Sequence, residues 1–230
     1  MSPNCPRASS VGRDSSVGRV LFFRPAARAL AAALGCLLTV ALATAACTSG
    51  PSAPETGDYI ADLATFRAAR DRQFQEEKDP VPASRKATLL PLRYFPPDES
   101  YVIPAQLQLA DERPQVTMPT STGTLRQYRR VGVLEFTLQN EKMTLGAFVE
   151  EGQPVVDLFV PFADTTTGQE TYPAGRYLDL HPKATGVYTI DFNRAYNPYC
   201  AYNESYECPY PPPSNRLKIA IRAGEKKPGA

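Results

Sequence analysis

A group of polar side chains stands near the ends of three strand-like runs in the second half of the chain. It combines carboxylates, guanidinium groups, amides and a phenol, and its members are Asp164, Arg176, Tyr177, Asp191, Asn193, Arg194 and Asn197. In one interpretation these groups satisfy one another and the loop backbone, with Arg176 paired to Asp164 or Asp191. In the other they line a pocket, where arginines donate charge-assisted hydrogen bonds to an anionic or polyhydroxyl ligand and tyrosines supply apolar faces.

The inventory of other catalytic groups is short. The chain has a single histidine, His181, which stands directly before a proline in the turn-like HPKATG. It contains no G-x-S-x-G, no glycine-rich phosphate loop and no H-E-x-x-H. A hydrolase-type enzyme would therefore use Asp191 or Asp164 as general acid or base, and this activity is the alternative to ligand binding. With one histidine and no C-x-x-C, neither a metal ion nor another cofactor is expected.

Residues 191–216 read DFNRAYNPYCAYNESYECPYPPPSNR and combine polar, aromatic, cysteine and proline residues. Proline fixes φ and donates no ladder hydrogen bond, so we expect an ordered loop after a strand, and loops of this length are often functional. Cys200 and Cys208 are the only cysteines that follow Cys47. Outside the cytoplasm such a pair forms a disulfide by default, and here the bond would hold the shape of the loop.

Hydrophobic alternation with a period of two predicts the elements that position these residues. It occurs in residues 101–109, 124–131, 133–139, 142–150, 176–180, 187–192 and 216–222, each bounded by turn residues. Short connections predict hairpins at residues 140–142 and 164–170. The fold class that follows is mainly β, an antiparallel sandwich or small barrel within residues 81–230, without the βαβ alternation of a Rossmann-type sheet.

Residues 58–80 precede this domain and predict one N-terminal amphipathic helix. Asp58 is the expected cap, and Asp79-Pro80 ends the run. The apolar positions recur near helical spacing and are Tyr59, Leu63, Phe66 and Phe74. A helix with one apolar and one charged face is expected to pack across the sheet or its edge.

The first 46 residues have the features of an export signal. Arginines at positions 19, 24 and 28 precede an uncharged apolar run over residues 29–46, and Cys47 then begins a small, polar tether that extends to residue 57. A lipoprotein signal cut before Cys47, which is then acylated, is favoured over a signal cut near Ala46 and over an uncleaved anchor helix. Under all three, residues 48–230 lie outside the cytoplasm, in the bacterial periplasm or at the cell surface.

Three stretches resemble the bacterial family catalogued as domain of unknown function 1684. They read PTSTGTLRQYRRVGVLEF, PFADTTTGQETYPAGRYLDL and DFNRAYNPYCAYNESYECPYPPPSNRLKIAIRAGEK. The resemblance extends from Leu89 to Lys226, which is most of the exported part. It implies a shared fold and a shared, uncharacterised role, and it transfers no catalytic residues.

The balanced composition, with a formal charge of +1 at neutral pH, argues against nucleic-acid binding. The function expected from the sequence is an extracytoplasmic β-domain, anchored to the membrane by a lipid, that binds a small polar or anionic ligand or a partner protein of the envelope. Besides the carboxylate-dependent hydrolase, the further alternative is a structural envelope lipoprotein without a ligand.

Overall fold

A computed structural model describes residues 56–77, 80–152, 157–181 and 184–229 of the 230-residue chain. The predicted export signal, the predicted acylation site Cys47 and the tether up to residue 55 lie outside these residues. Among the described residues, no helix is both long and apolar enough to cross a membrane.

Helix α1 spans Thr56–Glu76, close to the predicted residues 58–80. Asp58 lies in its first turn, where a carboxylate interacts favourably with the helix dipole, rather than at the cap position. Leu63 and Phe74 are fully buried, and because they lie about three turns apart they share one face of the helix. A short 3-10 turn, Ala83–Arg85, and helix α2, Lys86–Leu89, follow.

Seven strands of the described chain form one antiparallel sheet that curls into a half-barrel. They are β1 Val102–Leu109, β2 Gln115–Pro119, β3 Leu125–Leu138, β4 Glu141–Glu150, β5 Leu158–Phe162, β6 Arg176–Leu180 and β7 Val187–Asp191. Their order across the sheet is β6-β5-β4-β3-β1-β7, and β2 pairs with the first half of β3. The fold is therefore mainly antiparallel β with an N-terminal helix, as the sequence predicted.

Two runs predicted as separate strands, residues 124–131 and 133–139, form the single long strand β3. A bulge between Arg130 and Gly132 bends it, so that its first half pairs with β2 and its second half with β1. At Gly132 an added Cβ would lie 2.3 Å from the carbonyl oxygen of Gln108. The close approach of β1 to the bulge therefore requires glycine at this position.

The hairpin turns lie close to their predicted places. The β3–β4 turn is centred on Gln139 and Asn140, whose φ angles of 53° and 64° are those of a two-residue type I′ turn. The prediction of a turn at residues 140–142 is displaced, because Glu141 already pairs with Leu138. The hairpin expected around residues 164–170 is present as the antiparallel pair of β5 and β6.

The prediction of a strand at residues 216–222 is wrong. Arg216 makes one isolated bridge with Ala163, and the segment then runs on outside the sheet. Leu217 and Ile221 are nevertheless buried, and the guanidinium of Arg176 donates to the Ile221 carbonyl at 2.8 Å. Hydrophobic alternation indicates an extended, half-buried chain, but it does not indicate whether a neighbouring strand or a side chain forms the hydrogen bonds to its backbone.

The cores place the helix and the loop after β7 against the sheet. The main core is formed by side chains from all the strands except β2, including the fully buried Leu134 and Ile190. A second cluster joins Phe74 of α1 to Tyr202 of the loop, and a third surrounds Tyr128 of β3. Helix α1 therefore packs on the loop after β7, and Phe192 and Ala195 of that loop pack in the main core with the strands.

Candidate functional site

A cleft of about 910 Å³ opens between helix α1, strands β3, β5 and β6, and residues 192–216, which we call the long loop. This volume lies within the range of small-molecule sites. Aromatic rings form much of its wall, and they include Tyr128, Phe159, Tyr177, Tyr196, Tyr199 and Tyr206. Charged groups of both signs also line it, namely Arg70, Arg126, Arg194, Asp157, Asp179 and Glu207.

Strand alternation places a row of polar groups in the cleft. In β5, Leu158 belongs to the main core, so the next residue, Phe159, faces the cleft. The antiparallel register sets Phe159 opposite Asp179 of β6. One period further along the same face, Asp157 meets His181. The outer face of the β5–β6 hairpin therefore presents two aromatic side chains, Phe159 and Tyr177, and the polar side chains of Asp157, Asp179 and His181 to the cleft.

Two hydrogen-bonded pairs involve this row, one within the hairpin and one with Tyr196 of the long loop. Nδ1 of His181 and Oδ1 of Asp157 form a hydrogen bond at the rim, where the His181 side chain is 87% exposed. The Tyr196 hydroxyl donates to Oδ2 of Asp179 at 2.6 Å. Asp179 is exposed to solvent at the cleft, and partial desolvation by the surrounding walls raises its pKa; the Tyr196 hydrogen bond opposes this shift, and the nearby Asp157 charge adds to it. Burial and the Asp179 charge also raise the pKa of Tyr196.

Each arginine that lines the cleft already has a carboxylate partner. The pairs are Arg70 with Glu225 at 2.7 Å, Arg194 with Asp191 at 3.2 Å, and Arg126 with Glu150 at 3.3 Å. Two of the guanidinium groups also lie over aromatic rings. Arg70 is 4.8 Å from the ring centres of Phe74 and Tyr196, and Arg194 is 4.7 Å from that of Phe66.

Arg176 and Asp164, two of the residues singled out in the sequence, lie outside the lining of the cleft. Nη2 of Arg176 donates to Oδ2 of Asp164 at 2.8 Å, and both side chains are 1% exposed. The other guanidinium donors reach the main-chain carbonyls of Ala223, Ile221 and Glu225. Burial lowers the pKa of Arg176, and the Asp164 charge opposes this shift. The pair holds the C-terminal segment against the β5–β6 hairpin.

Asn193 and Asn197 are also buried and make main-chain contacts. The Asn193 amide accepts from the Asp98 nitrogen at 3.0 Å and donates to the Asp98 oxygen at 2.8 Å. Nδ2 of Asn197 donates to the Lys226 oxygen at 2.7 Å. Both side chains therefore fasten the long loop to neighbouring segments.

The remaining predicted residues lie at or beside the cleft. Asp191 accepts from the Tyr59 hydroxyl of α1 at 3.0 Å and from Nε of Arg194 at 3.2 Å. Tyr177 is buried, and its hydroxyl donates to the Pro209 oxygen at 2.6 Å. Of the residues predicted for ligand binding, Tyr177 and Arg194 line the cleft.

Cys200 and Cys208 are buried free thiols, and Cys208 lines the cleft. The Cys200 nitrogen donates to Sγ of Cys208 at 3.1 Å. A hydrogen bond between the two thiols lowers the pKa of Cys200 to about 7 and raises the pKa of Cys208. The predicted disulfide stays a prediction, and the two side chains are neighbours.

Sequence reasoning missed Asp179 and Phe159 and assigned His181 to an ordinary turn. The available signal was the spacing of Tyr177, Asp179 and His181, which keeps polar groups on one face of a strand and its extension. Within the described ranges, no group of three or more His, Cys, Asp or Glu side chains is arranged to hold a metal ion.

Comparisons with known proteins agree with the resemblance found in the sequence. The model of a family described as protein of unknown function (DUF1684) matches residues 88–226. The chain is also similar to a protein of Haloarcula marismortui, an uncharacterised protein whose solution NMR structure is known. The two are 38% identical, the match covers 74% of this chain and 95% of that one, and the TM-score is 0.60. No curated protein matches the chain.

Proposed function

This chain belongs to the DUF1684 family of proteins of unknown function, and we propose that its β-domain binds a small polar ligand in the cleft. We also propose that the domain lies outside the cytoplasm and is anchored to the membrane by a lipid on Cys47. One observation carries the binding proposal. A cleft of about 910 Å³ combines aromatic rings with hydrogen-bonding carboxylates and guanidinium groups. Binding sites for small molecules have this composition, with apolar walls and a few polar groups that set the orientation of the ligand.

The position of the cleft within the fold supports the same proposal. Its walls come from α1, the sheet and the long loop, so residues distant in the sequence converge on it. Arg70 of α1 is held by Glu225 near the C-terminus, and Tyr177 of β6 by Pro209 of the long loop. Such cross-links keep the walls in place before a ligand arrives, which lowers the entropy cost of binding.

A screen of small polar compounds by saturation-transfer NMR tests the binding proposal. Tyr199 and Tyr210 provide a test variant and its matched control. Both belong to the long loop and are 36% and 38% exposed, but only Tyr199 lines the cleft. We expect bound compounds to be lost in Tyr199→Ala and kept in Tyr210→Ala. Compounds whose binding survives both Tyr199→Ala and Asp179→Asn would place the site elsewhere. A screen without any binder would favour the structural envelope lipoprotein.

The N-terminal sequence supports the lipid anchor. Small Ala45 and Ala46 stand directly before Cys47, after an uncharged apolar run. We expect the full-length precursor, expressed in a bacterium that processes lipoproteins, to be recovered with membranes, and Cys47→Ala to release it into the soluble extracytoplasmic fraction. Cys36→Ala, within the apolar run, is the matched control and should stay with the membranes. Soluble wild-type protein would instead support simple secretion.

A second candidate function, carboxylate-dependent hydrolysis, is favoured by the raised pKa of Asp179. A carboxyl group of raised pKa in a cleft is a candidate general acid, and the Asp157–His181 pair lies on the same face. Asp164 and Asp191, the carboxylates named from the sequence, are both engaged by arginines. Turnover of any screened compound that stops in a folded Asp179→Asn variant would establish this function over binding alone.

A further inference from the structure

We propose that the ligand of the cleft is an uncharged polyhydroxyl compound of the saccharide class. The inference rests on the proposed binding function and names the chemistry of its ligand. It follows from the way in which charges and rings are already paired inside the cleft. Each class of ligand makes different demands on those groups, and the contacts of the cleft separate anions, cations and neutral polyols.

An anionic ligand would have to share each guanidinium group of the cleft with a carboxylate that the group already contacts, although Nη2 of Arg70 makes no hydrogen bond within the described residues. Arg70, Arg126 and Arg194 each contact a carboxylate at 2.7 to 3.3 Å. Three further carboxylates, Asp157, Asp179 and Glu207, share the lining with them. An anion would therefore compete with the resident carboxylates for these groups while it approached like charges, and both effects weaken its binding.

A cationic ligand finds ring faces that already carry cations. Organic cations bind aromatic cages because the face of each ring attracts positive charge. Here Arg70 lies over Tyr196 and Arg194 lies over Phe66. A ligand cation at these two faces would meet a resident guanidinium group within the same few ångströms, so these two rings are unsuited to bind it.

A hydroxyl group can form hydrogen bonds with the polar side chains of the cleft, and it carries no net charge. It donates to one neighbour and accepts from another, and the cleft alternates such neighbours. Asp179 accepts hydrogen bonds, and the Tyr196 hydroxyl lies 2.6 Å from it. Asp157 and His181 form a second acceptor and donor pair on the same face. A compound with several hydroxyl groups can bridge both pairs at once.

The aromatic walls suit the apolar faces of a sugar ring. A pyranose carries its hydroxyl groups around its edge and C–H groups on its faces, so it is polar at the rim and apolar above and below. Tyr199 is 36% exposed and stands edge-on to Tyr206, with ring centres 5.2 Å apart. Phe159 also lines the cleft, where it stacks on Tyr128 with ring centres 5.5 Å apart and is directly opposite Asp179 in the register. One ring can thus contact aromatic faces while its hydroxyl groups reach the β5–β6 row.

A series of sugars that differ only in charge tests the inference. Wild-type protein is first screened by saturation-transfer NMR against glucose, galactose, mannose, N-acetylglucosamine and their β-linked disaccharides. The best binder is then compared with its uronic acid and its 2-amino analogue. We expect the neutral sugar to bind at least about 10-fold more tightly than either charged analogue, a difference of about 1.4 kcal/mol. We also expect Tyr199→Ala to weaken it about 10-fold and Tyr210→Ala to leave it unchanged.

Each other outcome overturns the inference. Preference for the uronic acid would mean that the guanidinium groups are free to bind an anion, and preference for the amine would mean that the rings bind a cation. If no sugar binds while other compounds bind in a manner sensitive to Tyr199→Ala, the saccharide class is wrong and the binding cleft stands. If nothing binds, both proposals fail. Circular dichroism and thermal unfolding of each variant establish that it is folded.

Discussion

Nη2 of Arg176 lies 2.8 Å from Oδ2 of Asp164, and each of these charged side chains is 1% exposed. Arg176 begins strand β6, whereas Asp164 lies just beyond the end of β5. The same guanidinium binds carbonyls of residues 221, 223 and 225, which belong to a segment outside the sheet. The Arg176 side chain therefore links the two strands of the β5–β6 hairpin. It also forms the hydrogen bonds to the backbone of the C-terminal segment that a neighbouring strand would form in a sheet.

Replacing Arg176 by methionine should strongly destabilise the protein. Removal of one partner leaves the buried Asp164 charge uncompensated, and such losses are typically about 3–5 kcal/mol. The free energy of unfolding from urea titration measures the effect. Arg222→Met is the control, because Arg222 pairs with Glu170 at 2.9 Å at an exposed site and should change stability little. Similar losses in both variants would contradict the role given to burial.

Replacing Glu225 by glutamine should loosen helix α1. Glu225 is buried and accepts from Nε of Arg70 at 2.7 Å and from the Tyr202 hydroxyl at 2.6 Å. Burial lowers the pKa of Arg70, but the Glu225 charge, the nearby Tyr202 and the hydrogen bond to Glu225 together outweigh this, and the pKa is raised. Without that charge Arg70 stays largely buried and lacks a counter-charge, so we expect a loss of about 3 kcal/mol.

Hydrogen exchange across residues 56–76 reports whether the helix itself is affected. In Glu225→Gln these amides should exchange faster than in the wild type, because Arg70 joins the helix to the C-terminal segment. Asp62→Asn, on the exposed side of the same helix, is the matched control. If the exchange rates of α1 stay at wild-type values in Glu225→Gln, the ion pair does not hold the helix.

The two cysteines should act as one unit under oxidising conditions. The thiolate is the attacking species, and the pKa of Cys200 is lowered to about 7, so oxidation of the pair should accelerate as the pH rises through 7. The intact mass should fall by two hydrogens.

Under oxidising conditions, Cys200→Ser and Cys208→Ser should each lower the free energy of unfolding by about 2 kcal/mol relative to the oxidised wild type, and the double variant should lower it no further. Additive losses, or no loss of hydrogens, would show that no disulfide forms.

Asp179 should make stability depend on pH. Its pKa is raised by partial desolvation in the cleft of the folded protein, so the folded state binds the proton more tightly than the unfolded state does. The resulting stabilisation is present below the unfolded pKa of about 4 and is lost as the pH rises through the raised folded pKa. Asp179→Asn should therefore gain in melting temperature relative to wild type between pH 4 and pH 7.

The same comparison in Asp111→Asn, at an exposed loop position, serves as the reference for Asp179. A relative melting temperature of Asp179→Asn that falls between pH 4 and pH 7 would mean that the folded protein stabilises the ionised carboxylate. That result would also remove Asp179 as a candidate general acid in the cleft.

Local patterns predicted the elements well and their partners less well. The alternation in residues 101–109, 142–150, 176–180 and 187–192 corresponds to β1, β4, β6 and β7, since a strand with one buried face must alternate. The same pattern misled at residues 216–222, where Arg176 rather than a strand binds the backbone. Residues 125–138 form one strand because a bulge near Gly132 connects its two halves, and hydrophobic alternation does not predict such a bulge.

The sequence by itself determined the family, the mainly β fold, the N-terminal helix and the segments that carry polar residues, because composition and period are properties of neighbouring residues. Only the tertiary structure decided which of those residues face the cleft. Arg176 and Asp164 became a buried pair, whereas Asp179 and Phe159 reached the cleft through the register of β5 and β6. Register and the docking of α1 depend on contacts between residues far apart in the chain, and such contacts leave no local signature.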